Sequence, residues 1–464
     1  MKKFAILTVI AACATAAHAG GLLHNTNVHI AFDRMFARGA TFDIDAIFSN
    51  PAGTAFFDHE GWQISVNNQS AFQKRDIKAT FEFFPEGTRE YNGKASVPVI
   101  PSIFVAHKHN RWTFSGMFAI IGGGGKCSFE TGLPMFDAGV MAGIYAQTAA
   151  MCASNPAVAA VLGGPVTPAS YTINSSMKGT QLIYGGQLGA AFRINDRFSA
   201  FAGARVNYFS GNYVGHVIAD ANSELASKLA LLSQPAQLAA IKLDCNQTGW
   251  GVTPIIGVDF HWNRLTLGAK YEFKTNLNIE NDTKEFEVAP ADYRPALSQF
   301  EHGVNTPSDL PALSTVAAGY EILPGKLRAA VEFHHFDDKH ADMAEHKEKA
   351  LKRGTIEYMG GVEWDINKTF TVSAGAQRTD YGLSDDYQSH TSFSCDSYSI
   401  GFGGAVNLTK KLRLNVSYFW TTYEDYTKTV PAANPGGYCN TTLAGTDVYS
   451  RTNKVFGVGI DYKF

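Results

Sequence analysis

Residues 61–464 are dominated by one pattern: apolar residues at every second position, in segments joined alternately by short and long connections. The last segment shows it plainly. Phe456, Val458, Ile460, Tyr462 and Phe464 fall on one face, and Val455, Gly457, Gly459, Asp461 and Lys463 on the other. In the segment before it, Leu412, Leu414, Val416, Tyr418 and Trp420 alternate with Arg413, Asn415, Ser417, Phe419 and Thr421. Period two marks a strand whose two faces meet different surroundings. The pattern recurs over residues 252–262, 265–273 and 358–366, where Pro254 is expected to mark a bulge or kink.

A soluble sandwich also alternates, so the connections decide. Tight turns are read at Asn110-Arg111, Asn195-Asp196-Arg197, Asn263-Arg264, Pro324-Gly325-Lys326, Asn367-Lys368 and Thr409-Lys410-Lys411. Between them lie long excursions over residues 122–171, 219–243, 276–310 and 337–353. Short turns on one side and long loops on the other are the asymmetry of an outer-membrane barrel. Trp112, Phe198, Trp262, Trp364 and Phe370 sit beside the short turns, as an interfacial girdle would. The turn count predicts an all-β fold of fourteen antiparallel transmembrane strands, numbered from Gly61 to Phe464, with both ends on the periplasmic side. Closure is required, because an open edge leaves N–H and C=O groups unpaired in hydrocarbon. Helical spacing over residues 138–162, and over 220–242 with an interruption at Pro235, predicts short helices capping the mouth.

Composition agrees with this class. Hydrophobic residues make up 45% and aromatics 12%, which excludes disorder, and a net charge of −3 with dispersed basic residues points away from nucleic acid. Lys2, Lys3, an apolar run to Ala17 and Ala17-His18-Ala19 read as a cleaved secretion signal over residues 1–19, against the alternative of an uncleaved anchor. No other run of about 18 apolar residues exists to form a transmembrane helix. Cys13 leaves with the signal, and export permits disulfides among the remaining five cysteines. Loop positions suggest Cys127 with Cys152 and Cys395 with Cys439, leaving Cys245 odd, although sequence does not fix connectivity.

Residues 20–57 fit neither helix nor strand for more than a few positions and end in the turn signal Asn50-Pro51-Ala52-Gly53. The segment is read as lying inside what residues 58–464 build. Arg38-Gly39-Ala40, Asp45-Ala46 and Asn50-Pro51-Ala52-Gly53, placed between a signal and a barrel pattern that ends in Phe464, resemble the FadL/TodX family of outer-membrane channels for long-chain fatty acids and other hydrophobic molecules. The run Asp43-Ile44-Asp45 departs from the commoner pattern, which leaves substrate open. The resemblance implies an N-terminal hatch that plugs the barrel. It also implies capture by an apolar groove of extracellular loops, a lumenal pocket near the hatch, and lateral exit at a kink in strand 3. Gly39, Asp45, Asn50, Pro51, Ala52 and Gly53 would form the hatch motif. Phe32, Met35, Phe36 and Phe42 are candidates to line the pocket, and Arg34 or Arg38 to pair a carboxylate, against plain plug-to-wall packing and salt bridging. Phe129, Leu133, Met135 and Phe136 are candidates for the groove, against loop self-packing. Gly122, Gly123, Gly124 and Gly125 either kink the strand or open a flexible loop. The implied partners are a hydrophobic ligand, outer-membrane lipid and lipopolysaccharide, and, through Phe464, the assembly machinery; the expected state is a monomer without cofactor.

Rival readings remain at this stage. His334, His335, Asp337, Asp338, His340, Asp342 and His346 form a metal-compatible cluster with no fixed ligand spacing, so a solvated loop competes. A barrel hydrolase finds no G-x-S-x-G or comparable triad. An adhesin would place its function in the long loops, and a general porin has no need of a plug.

Overall fold

The alternating segments become strands of one closed antiparallel sheet. The structure, a computed structural model, describes residue 22 and residues 24–464 other than residue 435; the expected signal lies outside the described residues. The first six strands are β1 (Gly61–Phe81), β2 (Thr88–His109), β3 (Trp112–Phe129), β4 (Tyr171–Arg193), β5 (Phe198–Ala221) and β6 (Gln237–Trp262). Next come β7 (Leu265–Glu272, continued by Asn278–Ala289), β8 (Asn305–Pro307, continued by Leu313–Leu323), β9 (Leu327–Phe336) and β10 (Ile356–Asp365). The last are β11 (Phe370–Asp380), β12 (Ser397–Asn407), β13 (Leu412–Tyr423, continued by Tyr426–Val430) and β14 (Gly445–Lys463). Each pairs with the next, and β14 pairs with β1 from Gln63↔Lys463 to Phe81↔Gly445, which closes a 14-stranded barrel.

The faces are those of a barrel in lipid. On β1, Gln63, Ser65, Asn67, Gln69, Gln73 and Arg75 are buried inside, while Trp62, Val66 and Phe72 face out. Such apolar exposure around a whole barrel would be untenable in water, and it matches an outward apolar band. The girdle residues Trp112, Phe198, Trp262, Trp364 and Phe370 are all exposed beside the short turns. Among the described residues no helix is long and apolar enough to cross a membrane. The protein should therefore migrate faster on SDS gels before boiling than after it; identical migration would contradict the closed barrel.

Two expectations change. Parts of the long excursions are strand, not loop: β1 to β6 run from 18 to 26 residues, and a crossing needs only about 9–11. The surplus rises past the bilayer as a tall wall. The helix expected over residues 220–242 is confined to Ser223–Leu231, and Leu238 and Ile241 lie in β6. Ile241 pairs with Val217 and Val288, so sheet burial overrides the helical spacing beyond Pro235. The Ala-rich stretch does form helices, Pro134–Ser154 and Pro156–Leu162. Their apolar side chains pack with the tops of the tall strands as the largest buried cluster. Pro254 pairs without a register shift, but it sits where β7 is interrupted, so its missing donor coincides with the loss of a partner strand.

Candidate functional site: the hatch and a break in the wall

Residues 24–57 fill the lumen. The first helix (Ile30–Met35) starts where the His29 ring accepts from the Ala31 amide at 3.1 Å. It ends at Phe36, held at φ 61°. Beyond it the chain is fixed by charge. The Arg38 guanidinium donates to both oxygens of Asp45 at 2.7 and 2.8 Å, to Asp43 at 2.7 Å and to Glu363 at 3.3 Å. Arg34 donates to Glu363 and to Ser373 Oγ at 2.6 Å. The backbone amides of Arg38 and Gly39 both donate to Glu332 Oε2 at 2.6 Å. Bidentate, charge-assisted bonds of this kind set position as well as energy. Arg34 and Arg38 are thus engaged by protein carboxylates, the plug-to-wall salt bridging that competed with pairing of a ligand carboxylate.

Glycines of the wall admit the hatch backbone. A Cβ at Gly268 would lie 2.0 Å from the Gly39 carbonyl oxygen, and at Gly401 2.2 Å from that of Asp33. A Cβ at Gly361 would lie 2.1 Å, and at Gly375 2.0 Å, from the Met35 carbonyl oxygen. Gly375→Val should therefore lift the hatch from β11 and raise ion conductance in planar bilayers; conductance equal to wild type would contradict this packing.

Each residue of the Asn-Pro-Ala-Gly turn has a physical reason. Asn50 Nδ2 donates to Asp259 Oδ2 at 2.6 Å, and its Oδ1 accepts from the Gly53 amide at 3.3 Å. It thereby caps the 3₁₀ turn Pro51–Phe56, which begins at a proline, a residue suited to that place. Ala52 is buried against Ala191, Phe201 and Ile255. A Cβ on Gly53 would lie 2.3 Å from Asn50 Nδ2. The motif lies at the end of the barrel that carries the short turns, its floor, where Ser199 Oγ donates to the Ala52 carbonyl at 2.7 Å.

The wall is interrupted on one side. Pairing of β2 with β3 holds from His109↔Trp112 to Ser102↔Ala119, stops, and resumes at Ala95↔Cys127. Pro98 and Pro101 fall in the gap on β2 and supply no N–H. On β3 the gap holds Gly122, Gly123, Gly124 and Gly125, and register against β4 shifts between Ile120 and Gly122 and again before Gly125. Gly123 has φ 88°, and a Cβ there would meet the Gln181 carbonyl oxygen at 2.4 Å. The glycines thus lie inside a kinked strand, not at a loop start. From within, His24 bridges to Gly122 and the Asn25 amide donates to the Ile121 carbonyl at 2.7 Å. An apolar cluster joins the hatch to the break: Phe32 and Phe36 pack with Ile100 and Ile120, and Val97, Leu182 and Tyr184 adjoin them.

The other candidates are dispersed. Met35 lies on the wall glycines. Phe42 packs tilted against Phe56 and edge-on against His261 at ring distances of 5.4 and 5.3 Å, on the floor and away from the break. Phe129, Leu133 and Phe136 are buried in the outer cluster, so they form packed core instead of an open groove. Met135 does line a cavity of about 600 Å³, together with Tyr213, Phe300, Lys347, His390 and Lys428. Gln181, the partner of Gly125, lines the same cavity, which therefore reaches the strand position beside the break. Cys127, Cys152, Cys395 and Cys439 are free thiols, as is Cys245, so neither expected pair is bridged. Desolvation pushes the buried Cys395 thiol up to about 11, where it is protonated at neutral pH. The His/Asp cluster is spread out. His334 lies in the lumen between Glu332 and Glu357, His340 pairs with Asp337 at the surface, and Asp342 faces Lys274. Sequence reasoning passed over Pro98, Pro101, Glu332, Glu363 and the wall glycines. Only the two prolines, in Val97-Pro98-Val99-Ile100-Pro101, carried a signal readable on their own.

No protein-family model and no curated protein matches the sequence. Solved structures do. A FadL homologue of Pseudomonas aeruginosa aligns over 99% of this chain and 100% of its own, with 14% identity and a TM-score of 0.64. The toluene transporter TodX of Pseudomonas putida aligns over 91% and 95%, with 14% identity and a TM-score of 0.53. The toluene transporter TbuX of Ralstonia pickettii aligns over 91% and 94%, with 13% identity and a TM-score of 0.50. With its 14 strands, its lumenal N-terminal segment and these alignments along nearly its whole length, the chain has the fold of the FadL and TodX transporters.

Proposed function

We propose that the protein is an outer-membrane channel for uptake of fatty acids or other hydrophobic small molecules. In this reading ligand enters through the outer loops, reaches the apolar cluster above the hatch, and leaves sideways between β2 and β3 into the bilayer. The observation that carries it is the unpaired stretch of wall, whose Ile100 and Ile120 share a buried apolar cluster with Phe32 and Phe36 of the hatch. A lateral route fits apolar cargo, since each CH₂ returned to water costs about 0.8 kcal/mol. The fixed, charge-bonded hatch speaks against an axial pore. The fold likeness to a FadL homologue and to two toluene transporters supports the class of cargo without naming it.

The test is uptake by cells that express the protein against cells that lack it. A fluorescent fatty acid or a labelled aromatic hydrocarbon should accumulate faster with the protein, and a hydrophilic chromogenic β-lactam should not. Faster β-lactam entry alone would indicate a general porin. No effect on either, with surface attachment retained, would indicate an adhesin.

A further inference from the structure

Outward-facing lysines are concentrated on the strands that flank the break. Lys454 on β14, Lys74 on β1, Lys94 on β2, Lys126 on β3 and Lys178 on β4 are all exposed. The pairing register sets them side by side. Lys74 is opposite Lys94, Lys94 is opposite Ser128, and Ser128 is opposite Lys178. Lys126 is opposite Thr180, one alternation below that row, and Lys454 is opposite Phe72. With strands about 4.8 Å apart, the row from Lys74 to Lys178 spans roughly 15 Å.

Their height is set by the apolar band. On β1 the outward residues Trp62, Val66 and Phe72 end one alternation before Lys74. On β14, Ile460, Val458 and Phe456 end one alternation before Lys454. The stretch from Trp62 to Phe72, tilted as barrel strands are, is about 25 Å tall, the height of such a band. The lysines therefore stand at the headgroup level of the outer leaflet, with their stems along the hydrocarbon edge.

Like charges opposite each other on paired strands repel. Elsewhere around the strand tops cations are matched: Lys242 with Glu287 at 2.7 Å, Arg378 with Glu424 at 2.5 Å, and Arg353 with Asp380. Among the described residues none of the five lysines has such an ion pair. The carboxylates on this face, Asp76, Glu90 and Glu130, lie further out, with Glu90 opposite Lys78. The arc also crowns the break: Lys94 is just beyond its upper end on β2, and Lys126 stands at that end on β3.

We propose that this arc is a binding site for the phosphate-bearing headgroup of an outer-leaflet lipid, whose acyl chains then lie down the wall across the break. The site goes beyond the transport reading and stands whether or not the break passes cargo. The test is native mass spectrometry of the full barrel in an uncharged detergent, for wild type and for Lys74→Glu/Lys94→Glu/Lys126→Glu/Lys178→Glu. Each is titrated with bisphosphorylated lipid A, with its dephosphorylated counterpart, and with inorganic phosphate as competitor. Bisphosphorylated lipid A should bind wild type at least about tenfold more tightly than the variant. The dephosphorylated lipid should not distinguish them, and inorganic phosphate should not displace the lipid from wild type. Equal binding of bisphosphorylated lipid A by the two proteins overturns the proposal, as does displacement by inorganic phosphate alone. If the reversed variant does not assemble, Lys74→Gln/Lys94→Gln is the second variant, and it too must lose affinity. Lys368→Glu/Lys410→Glu, at the periplasmic turns, should bind as wild type does.

Discussion

Replacing Arg38 with Met opens the barrel to ions. In planar bilayers the variant should show a severalfold larger and noisier conductance than wild type, while the boiled and unboiled forms still migrate differently on gels. Arg38 is 1% exposed and joins three carboxylates: Asp45 and Asp43 of the hatch and Glu363 of β10. Removing the cation leaves Asp45 and Glu363 buried with fewer partners, a defect of about 3–5 kcal/mol. That exceeds what a short lumenal segment can absorb without moving, whereas the barrel keeps every ladder bond. Arg38→Lys should fall between, since a lysine restores charge but not the fork that grips both oxygens of Asp45. Wild-type conductance in Arg38→Met would mean that the hatch is held by something other than this network.

The second large effect is loss of transport when the wall is re-paired. Across the break, residues 120–126 of β3 face residues 96–101 of β2, so β3 carries one residue more. Deleting Gly123 brings the registers on either side of the break into line. Changing Pro98 and Pro101 to Thr returns the missing donors. The combined variant should assemble normally and take up a hydrophobic probe at least about tenfold more slowly, equivalent to roughly 1.4 kcal/mol in the barrier. Unchanged uptake would remove the break from the route. Pro98→Thr/Pro101→Thr alone should have a smaller effect, because the extra residue on β3 still forces a bulge.

The barrel was legible because its signals are local. Alternation, six tight turns and the aromatics beside them are each readable within about a dozen residues, and they set the strand count and the direction of every strand. The Asn50-Pro51-Ala52-Gly53 turn was legible for the same reason: cap, proline and glycine act on one another. What escaped depends on register. That Gly361 and Gly375 admit Met35, or that Glu332 receives two amides of residues 38 and 39, follows only from strands brought together around a segment some three hundred residues away. The candidate ligand residues divide by the same logic. Phe32 and Phe36 share one buried apolar cluster with Ile100 and Ile120 of the break, a grouping that only the closed barrel makes. Phe42, equally aromatic, turns to the floor. Groove and self-packing stay undivided in the sequence of the outer loops because apolar loop residues look alike whether they line a cleft, as Met135 does, or fill a core, as Phe129, Leu133 and Phe136 do.

The route itself can be mapped. Cells expressing the protein are given a hydrophobic probe that carries a diazirine, illuminated during uptake, and the adducts are located by mass spectrometry of peptides. The account predicts adducts on Val97, Ile100, Ile120 and Leu182 and on Phe32 and Phe36, around the opening between β2 and β3. Adducts gathered instead on Thr113, Ser199 and Asp259, at the floor beside the short turns, would place the path down the barrel axis and contradict lateral exit.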